Sequence, residues 1–319
     1  MATTFGYWIS SEEHAPAKLV ANAQAAEAAG FELAMISDHF HPWIEAQGEA
    51  PFVWTLIGAI GSTTESLRIG TGVTCPTMRT HPAIIAQAAA TCGALMPRRF
   101  FLGLGTGENL NEHVTGARWP APDERLEMLE EAIGVIRLLW QGGEQTHRGK
   151  HYTVDHATIY TLPDEPVEIA VAAAKPLAAE LAGRLGDSLV NVEPDAEIVK
   201  AYRAAGGDGP RYGQVKLCFD EDEQKAKQTV FELWRHSGLE GTLNQELPRP
   251  SDFDAVAESV TIEMATAGVP CGPDPEPVVK LVREWEEAGF DHICLHQVGS
   301  DQEGFFRFWE QELKPKLGA

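Results

Sequence analysis

The stretch FELAMISDHFHPW, residues 31–43, joins two signals. Residues 31–37 are a short, mostly apolar run of strand length. Asp38, His39, His41 and Trp43 then crowd the positions where that strand ends. Near-continuous apolar runs mark strands buried on both faces, as in a parallel sheet covered by helices.

Working outward, the same alternation recurs. Strands are expected over 4–9, 67–73, 99–105, 167–172, 188–192, 211–219 and 292–296. Helices are expected over 15–29 (closed by Gly30), 51–65, 82–96, 122–140 and 302–313, with Ala-rich helices behind the fifth and sixth strands. The acidic run 220–223 reads as a helix start that complements the dipole. Eight strands alternating with helices predict a single (β/α)8 TIM barrel domain over residues 1–319. Two insertions, about 142–163 and 236–275, read as loops over the barrel mouth.

Charge narrows the function classes. The chain has 25 basic and 47 acidic residues, a net charge of −22. That field repels polyphosphates and anionic lipid, and without a basic patch neither nucleic acid nor membrane is an expected partner. No run of 18 apolar residues suits a membrane span, and the N-terminus lacks the pattern of a secretory signal, so a cytoplasmic protein is expected. Cysteines 75, 92, 218, 271 and 294 form no CxxC pair and read as reduced core thiols.

In a barrel, chemistry gathers where strands end. His39, beside Asp38, could transfer a proton with a carboxylate neighbour to tune it, or could simply cap its loop by hydrogen bonds. His39 and His41 have no evident third ligand, so no metal site is expected. GLGTGE, residues 103–108, departs from the dinucleotide fingerprint. Its alternating glycines let something approach the backbone, and Glu108 beyond them could donate a proton; equally, the glycines could fit a narrow barrel end around a solvated Glu108. Trp43, Trp54 and Trp119 could stack on a planar cofactor or serve only packing.

SDHFHPW (37–43), TGVTCPTMRTHPAIIAQ (71–87), FLGLGTGENLNE (101–112) and AGRLGDS (182–188) together resemble the luciferase-like barrel oxidoreductases, in the branch that uses the deazaflavin coenzyme F420 and is related to F420-dependent glucose-6-phosphate dehydrogenase. The resemblance covers essentially the whole chain. It implies that Asp38 contacts the deazaflavin, that His39 faces the hydride-carrying carbon and takes the substrate hydroxyl proton, and that Trp43 walls the pocket. Glu108 would protonate the ring nitrogen N1. Gly72 and Val73 would share a non-prolyl cis peptide buttressing the ring, with Thr106, Gly107 and Asn111 lining the same face. The family's Gly-rich phosphate loop reads here Ala172, Ala173, Ala174 and Lys175; Lys175 would add a charge to the phosphate or be only a solvated helix-start residue. A homodimer is implied as well.

One departure concerns substrate. Where the sugar-phosphate enzymes carry a lysine after the sixth strand, this chain reads Val192-Glu193-Pro194-Asp195, and their second phosphate lysine aligns near Thr266. Glucose-6-phosphate is therefore not the expected substrate; a neutral alcohol, aldehyde or ketone is. The alternatives are an FMN-dependent monooxygenase of the same barrel class, or a protein that holds F420 as a reservoir or sensor without turning it over.

Overall fold

All eight expected barrel strands form, and they close on one another. The computed structural model describes residues 3–239 and 241–319. Its strands are β1 (Thr4–Ile9), β2 (Leu33–Ile36), β3 (Arg68–Thr71), β4 (Phe100–Leu104), β5 (Gln145–Arg148), β6 (Thr153–Ala157), β7 (Glu168–Ala172), β8 (Ser188–Asn191), β9 (Arg211–Leu217) and β10 (His292–Gln297). Eight make a closed parallel barrel in the order β1-β10-β9-β8-β7-β4-β3-β2; β5 and β6 pair separately as an antiparallel hairpin.

The helices are α1 (Pro16–Ala28), α2 (Val53–Thr63), α3 (Pro82–Leu95), α4 (Asn109–Glu112), α5 (Pro122–Leu139), α6 (Pro176–Leu185), α7 (Ala196–Ala204), α8 (Glu223–Trp234), α9 (Leu243–Glu246), α10 (Pro250–Val256), α11 (Ile262–Ala265), α12 (Glu276–Glu287) and α13 (Gln302–Phe308). Proline opens α1, α3, α5 and α6, where its missing N–H leaves no helical bond unmade. Asp222, from the acidic run, caps α8 by accepting from the N–H groups of Gln224 and Lys225. Helix α12 was not expected. The proline at its start reads as a breaker in isolation, yet it stands in the first turn, where proline is tolerated. No helix among the described residues is long and apolar enough to cross a membrane.

Two apolar layers hold the barrel. Its interior is filled by Trp8, Leu33, Met35, Phe101, Tyr212 and Cys294 with smaller neighbours, and Phe101 stacks on Tyr212 at 5.0 Å. A larger layer lies between the strands and the surrounding helices.

The two insertions behave differently. Residues 142–163 do not arch over the mouth as expected. The β5–β6 hairpin lies along α5, whose Glu131 accepts from the N–H groups of His151 and Tyr152 at 2.9 Å each. Only Tyr152 reaches toward the mouth, donating its hydroxyl to the Thr77 carbonyl at 3.0 Å. The segment 236–275 does form a roof: Phe253 of α10 packs on Ile44, Leu110 and Trp43, which belong to the loops after β2 and β4.

Candidate active site

Side chains alternate along a strand, so the residues filling the interior predict which later ones face the mouth. Past that core, β3, β4, β7 and β8 present Val73, Gly105, Ala172 and Val192. The other four strands, β9, β10, β1 and β2, present Lys216, His296, Ser10 and Ser37. The floor of the mouth is thus divided into a small, apolar half and a polar half.

In the polar half, Nδ1 of His39 lies 3.1 Å from the carbonyl oxygen of His41. A carbonyl only accepts, so Nδ1 carries the proton and Nε2 is the basic nitrogen. Facing that nitrogen at 3.5 Å is Oε1 of Glu12, a carboxylate only 2% exposed. Glu12 is itself held by the hydroxyls of Ser37 at 2.6 Å and Ser10 at 3.1 Å.

This corrects the expected partner of His39. Asp38 is turned away: Oδ2 accepts from the Thr74 hydroxyl at 2.7 Å, and Oδ1 pairs with Arg79 at 2.8 Å. Each of its carboxylate oxygens thus accepts a hydrogen bond from within the protein. Arg79 also faces the buried Glu112, through its backbone N–H at 2.7 Å and Nε at 3.5 Å. Two buried carboxylates thus share one guanidinium. Burial pushes Glu112 up to about 7 against the pull of Arg79.

Asn111 braces two loops. Its Oδ1 accepts from the N–H groups of Phe40 at 2.8 Å and His41 at 3.2 Å, and its Nδ2 donates to Glu108 at 3.3 Å. One amide therefore ties the loop bearing His39 to the loop bearing Glu108.

On the apolar half, the Gly72–Val73 peptide is cis, where the resemblance placed it. The alternating glycines are explained by this segment. A Cβ at Gly103 would lie 1.9 Å from the Thr71 carbonyl oxygen, and one at Gly105 would lie 2.7 Å from Val73. What approaches those glycines is the adjacent segment at the end of β3, residues 71–73. Gly107 has φ +76°, and a Cβ there would lie 2.6 Å from the Cys75 sulfur. Thr106 and Glu108 are half-buried beside it.

At the rim, Ala172, Ala173 and Ala174 lead into α6, with an exposed Lys175 at its N-cap. Helix α6 has no side-chain cap and no acidic residue in its first turn, whereas Asp195 caps α7 and Asp222 caps α8. Its free N–H groups suit an anion.

Of the three tryptophans, only Trp43 is at the mouth. It lies 5.1 Å from the His39 ring and stacks on His236, also at 5.1 Å. Trp54 packs near Phe100 in the helix layer, and Trp119 lies under the guanidinium of Arg125. His41 directs Nδ1 to the Leu110 carbonyl, and no cluster suited to a metal ion occurs among the described residues.

Sequence reasoning missed a second buried layer. Glu13 accepts from Trp234 Nε1 at 2.8 Å and the Gly299 N–H at 2.7 Å, and meets His296 Nε2 at 3.2 Å. Burial acts to raise its carboxyl, but the hydrogen bond and charge of His296, the charge of His14 and the Gly299 N–H hold it down to about 2. The available signal was Ser10-Ser11-Glu12-Glu13, a polar run at the end of the first strand.

A family model of luciferase-like monooxygenases matches residues 1–292. Over 328 aligned residues the chain is 35% identical to the F420-dependent glucose-6-phosphate dehydrogenase of Nakamurella multipartita, covering 99% of this chain and 96% of that one. It is 36% identical to the enzyme of the same description from Mycobacterium tuberculosis, covering 98% and 97%. Among solved structures it superimposes on an F420-dependent secondary alcohol dehydrogenase in complex with an F420–acetone adduct, with a TM-score of 0.91, 29% identity and 99% coverage of each chain.

Proposed function

The chain belongs to the luciferase-like family, and from that premise we propose a coenzyme F420-dependent oxidoreductase that exchanges a hydride with a small alcohol or carbonyl compound. The observation that carries this reading is the divided floor. His39 with Glu12 stands on one half, and Glu108 stands beyond the glycine strand on the other. An alcohol oxidation has to take up a hydroxyl proton on one side and supply a proton to the acceptor on the other.

The residues fit such a coenzyme. Val73, Gly105 and Ala172 offer a smooth floor for a planar ring, and the uncapped α6 offers N–H groups for a phosphate. When bound, the deazaflavin supplies the hydride-carrying carbon. His39 Nε2 accepts the substrate hydroxyl proton, and Glu12 stabilises the imidazolium that results. Glu108, aligned by Asn111, holds the proton that the ring gains. Trp43, braced by His236 and Phe253, closes the side of the pocket.

Glucose-6-phosphate is disfavoured as substrate. Glu193 and Asp195 stand exposed past β8, and Thr266 spends its hydroxyl on the Ile262 carbonyl at 2.8 Å. A phosphate dianion would meet like charge there. The secondary alcohol dehydrogenase likeness supports a neutral substrate. We also read residues 1–319 as one barrel domain acting in the cytoplasm as a homodimer.

The test is tryptophan-fluorescence quenching by oxidised F420 and by FMN, followed by turnover with propan-2-ol and with glucose-6-phosphate. Saturable quenching by F420 and turnover of the alcohol support the proposal. Tight FMN with weak F420 moves the chain to the monooxygenase reading, and F420 binding without turnover of any alcohol moves it to a reservoir or sensor.

A further inference from the structure

The polar half of the floor contains a lysine that the proton-transfer scheme does not use. Lys216 lies near the end of β9, two residues past Gln214, beside His296 of β10. Among the described residues its ammonium forms no ion pair. It meets Ser237 Oγ at 3.1 Å and the ring face of Trp234 at 3.8 Å. An ammonium has three N–H donors, so these two contacts leave one unassigned.

A second observation lies next to it. His236 is 3% exposed, and its Nδ1 has no hydrogen-bond partner. Burial, with the nearby charges of Lys216 and His39, keeps its ring neutral. His236 lies between Trp43 and Trp234, with ring centroids 5.1 and 5.2 Å away. That stack runs from the side wall beside His39 to the tryptophan under Lys216. An unused ammonium donor and an unpartnered imidazole nitrogen thus accompany the same aromatic wall.

We propose that Lys216 and Ser237 form a second substrate contact that binds an oxygen of a neutral diol or hydroxycarbonyl compound while His39 handles the oxygen at the reacting carbon. This rests on the oxidoreductase reading above and names the substrate class of that same site. The site favours a neutral oxygen over a carboxylate or phosphate because the same half of the mouth already holds two buried carboxylates, Glu12 at 3.5 Å from His39 Nε2 and Glu13 at 3.2 Å from His296, the residue paired with Lys216. An added anion would be repelled by both. Burial holds the Lys216 ammonium down to about 8, so it still donates at neutral pH.

The matched probes are propan-2-ol, propane-1,2-diol and lactate, titrated against the protein–F420 complex, with dissociation constants read from coenzyme fluorescence. The diol should bind about 10-fold tighter than the mono-alcohol, the size expected for one added hydrogen bond to a charged donor. Lys216→Met should reduce that preference to within about 2-fold without changing F420 affinity, and Lys216→Arg should retain part of it. Ser237→Ala, a milder change, should lose about 3-fold. Equal binding of diol and mono-alcohol by the parent, or an undiminished preference in Lys216→Met, overturns the contact. Preference for lactate over the diol overturns the neutral class. Failure of the parent to bind F420 overturns the cofactor reading on which the contact rests and is seen before any alcohol is added.

Discussion

Glu12 Oε1 stands 3.5 Å from Nε2 of His39, although 27 positions separate the two residues in the chain. They meet because each follows the end of one of two neighbouring strands, β1 and β2. With Nδ1 committed to the His41 carbonyl, proton uptake falls to Nε2, beside a carboxylate that gains from it. His39→Ala should therefore lower kcat by about 10² or more, and Glu12→Gln by about 10-fold, each with modest effects on F420 affinity. Steady-state kinetics with the best alcohol checks both. Unchanged kcat in His39→Ala would remove it from the chemistry.

Arg79 compensates both Asp38 and Glu112. Its loss would leave Asp38 as a buried carboxylate without its cation and push Glu112 further toward its protonated form, so Arg79→Met should cost about 3–5 kcal/mol. Adding Glu112→Gln should return part of that loss above about pH 7, because the buried carboxyl no longer has to take up a proton there. Urea unfolding of the single and double variants checks this; additivity of the two changes argues against a shared cation.

Glu112 also makes stability depend on pH. Its folded value, about 7, lies above the ordinary 4.5. Between those values the folded protein retains a proton that the unfolded chain has released, so this group's contribution falls as pH rises through that window. The full effect is at most about 3 kcal/mol. Relative to the parent, Glu112→Gln should gain thermal stability steadily from about pH 5 to about pH 8. A Tm difference that stays flat over that range contradicts the assignment.

Gly103 tests whether the glycine strand is shaped by the barrel itself. Gly103→Ala places a Cβ against the Thr71 carbonyl, a backbone atom with little room to move. A loss of about 3 kcal/mol or more, or failure to fold, is expected. Wild-type stability with weakened F420 binding would mean instead that the glycine serves the ligand alone.

The strands were legible because parallel barrel strands are buried on both faces and read as apolar runs. The residues at their ends were legible because the barrel topology says where to look, which is how His39 and Glu108 were singled out, whereas the 72–73 cis peptide came only from the family resemblance. Partnerships were not. Asp38 is adjacent to His39 in sequence, but successive side chains diverge at a strand end, so Asp38 turns to Thr74 and Arg79 while Glu12 arrives from the next strand. Lys216 escaped notice for a related reason: within 211–219 it is, with Arg211, one of two charged residues in a strand pattern. Only the closed barrel shows that it shares the mouth with His296. The hairpin at 145–157 was hidden by its polar composition: β5 has no apolar residue, and β6 has only Val154 and Ala157.

Trp234, His236, Ser237 and Phe253 all lie within 20 residues of one another, in a stretch that begins as α8 ends and contributes no strand to the barrel. The proton-handling residues come from other loops entirely. The aromatic wall and the chemistry are thus written on separable parts of the gene: exchanging that one continuous cassette would reshape the wall, while Lys216 on β9 and the catalysis would be inherited unaltered.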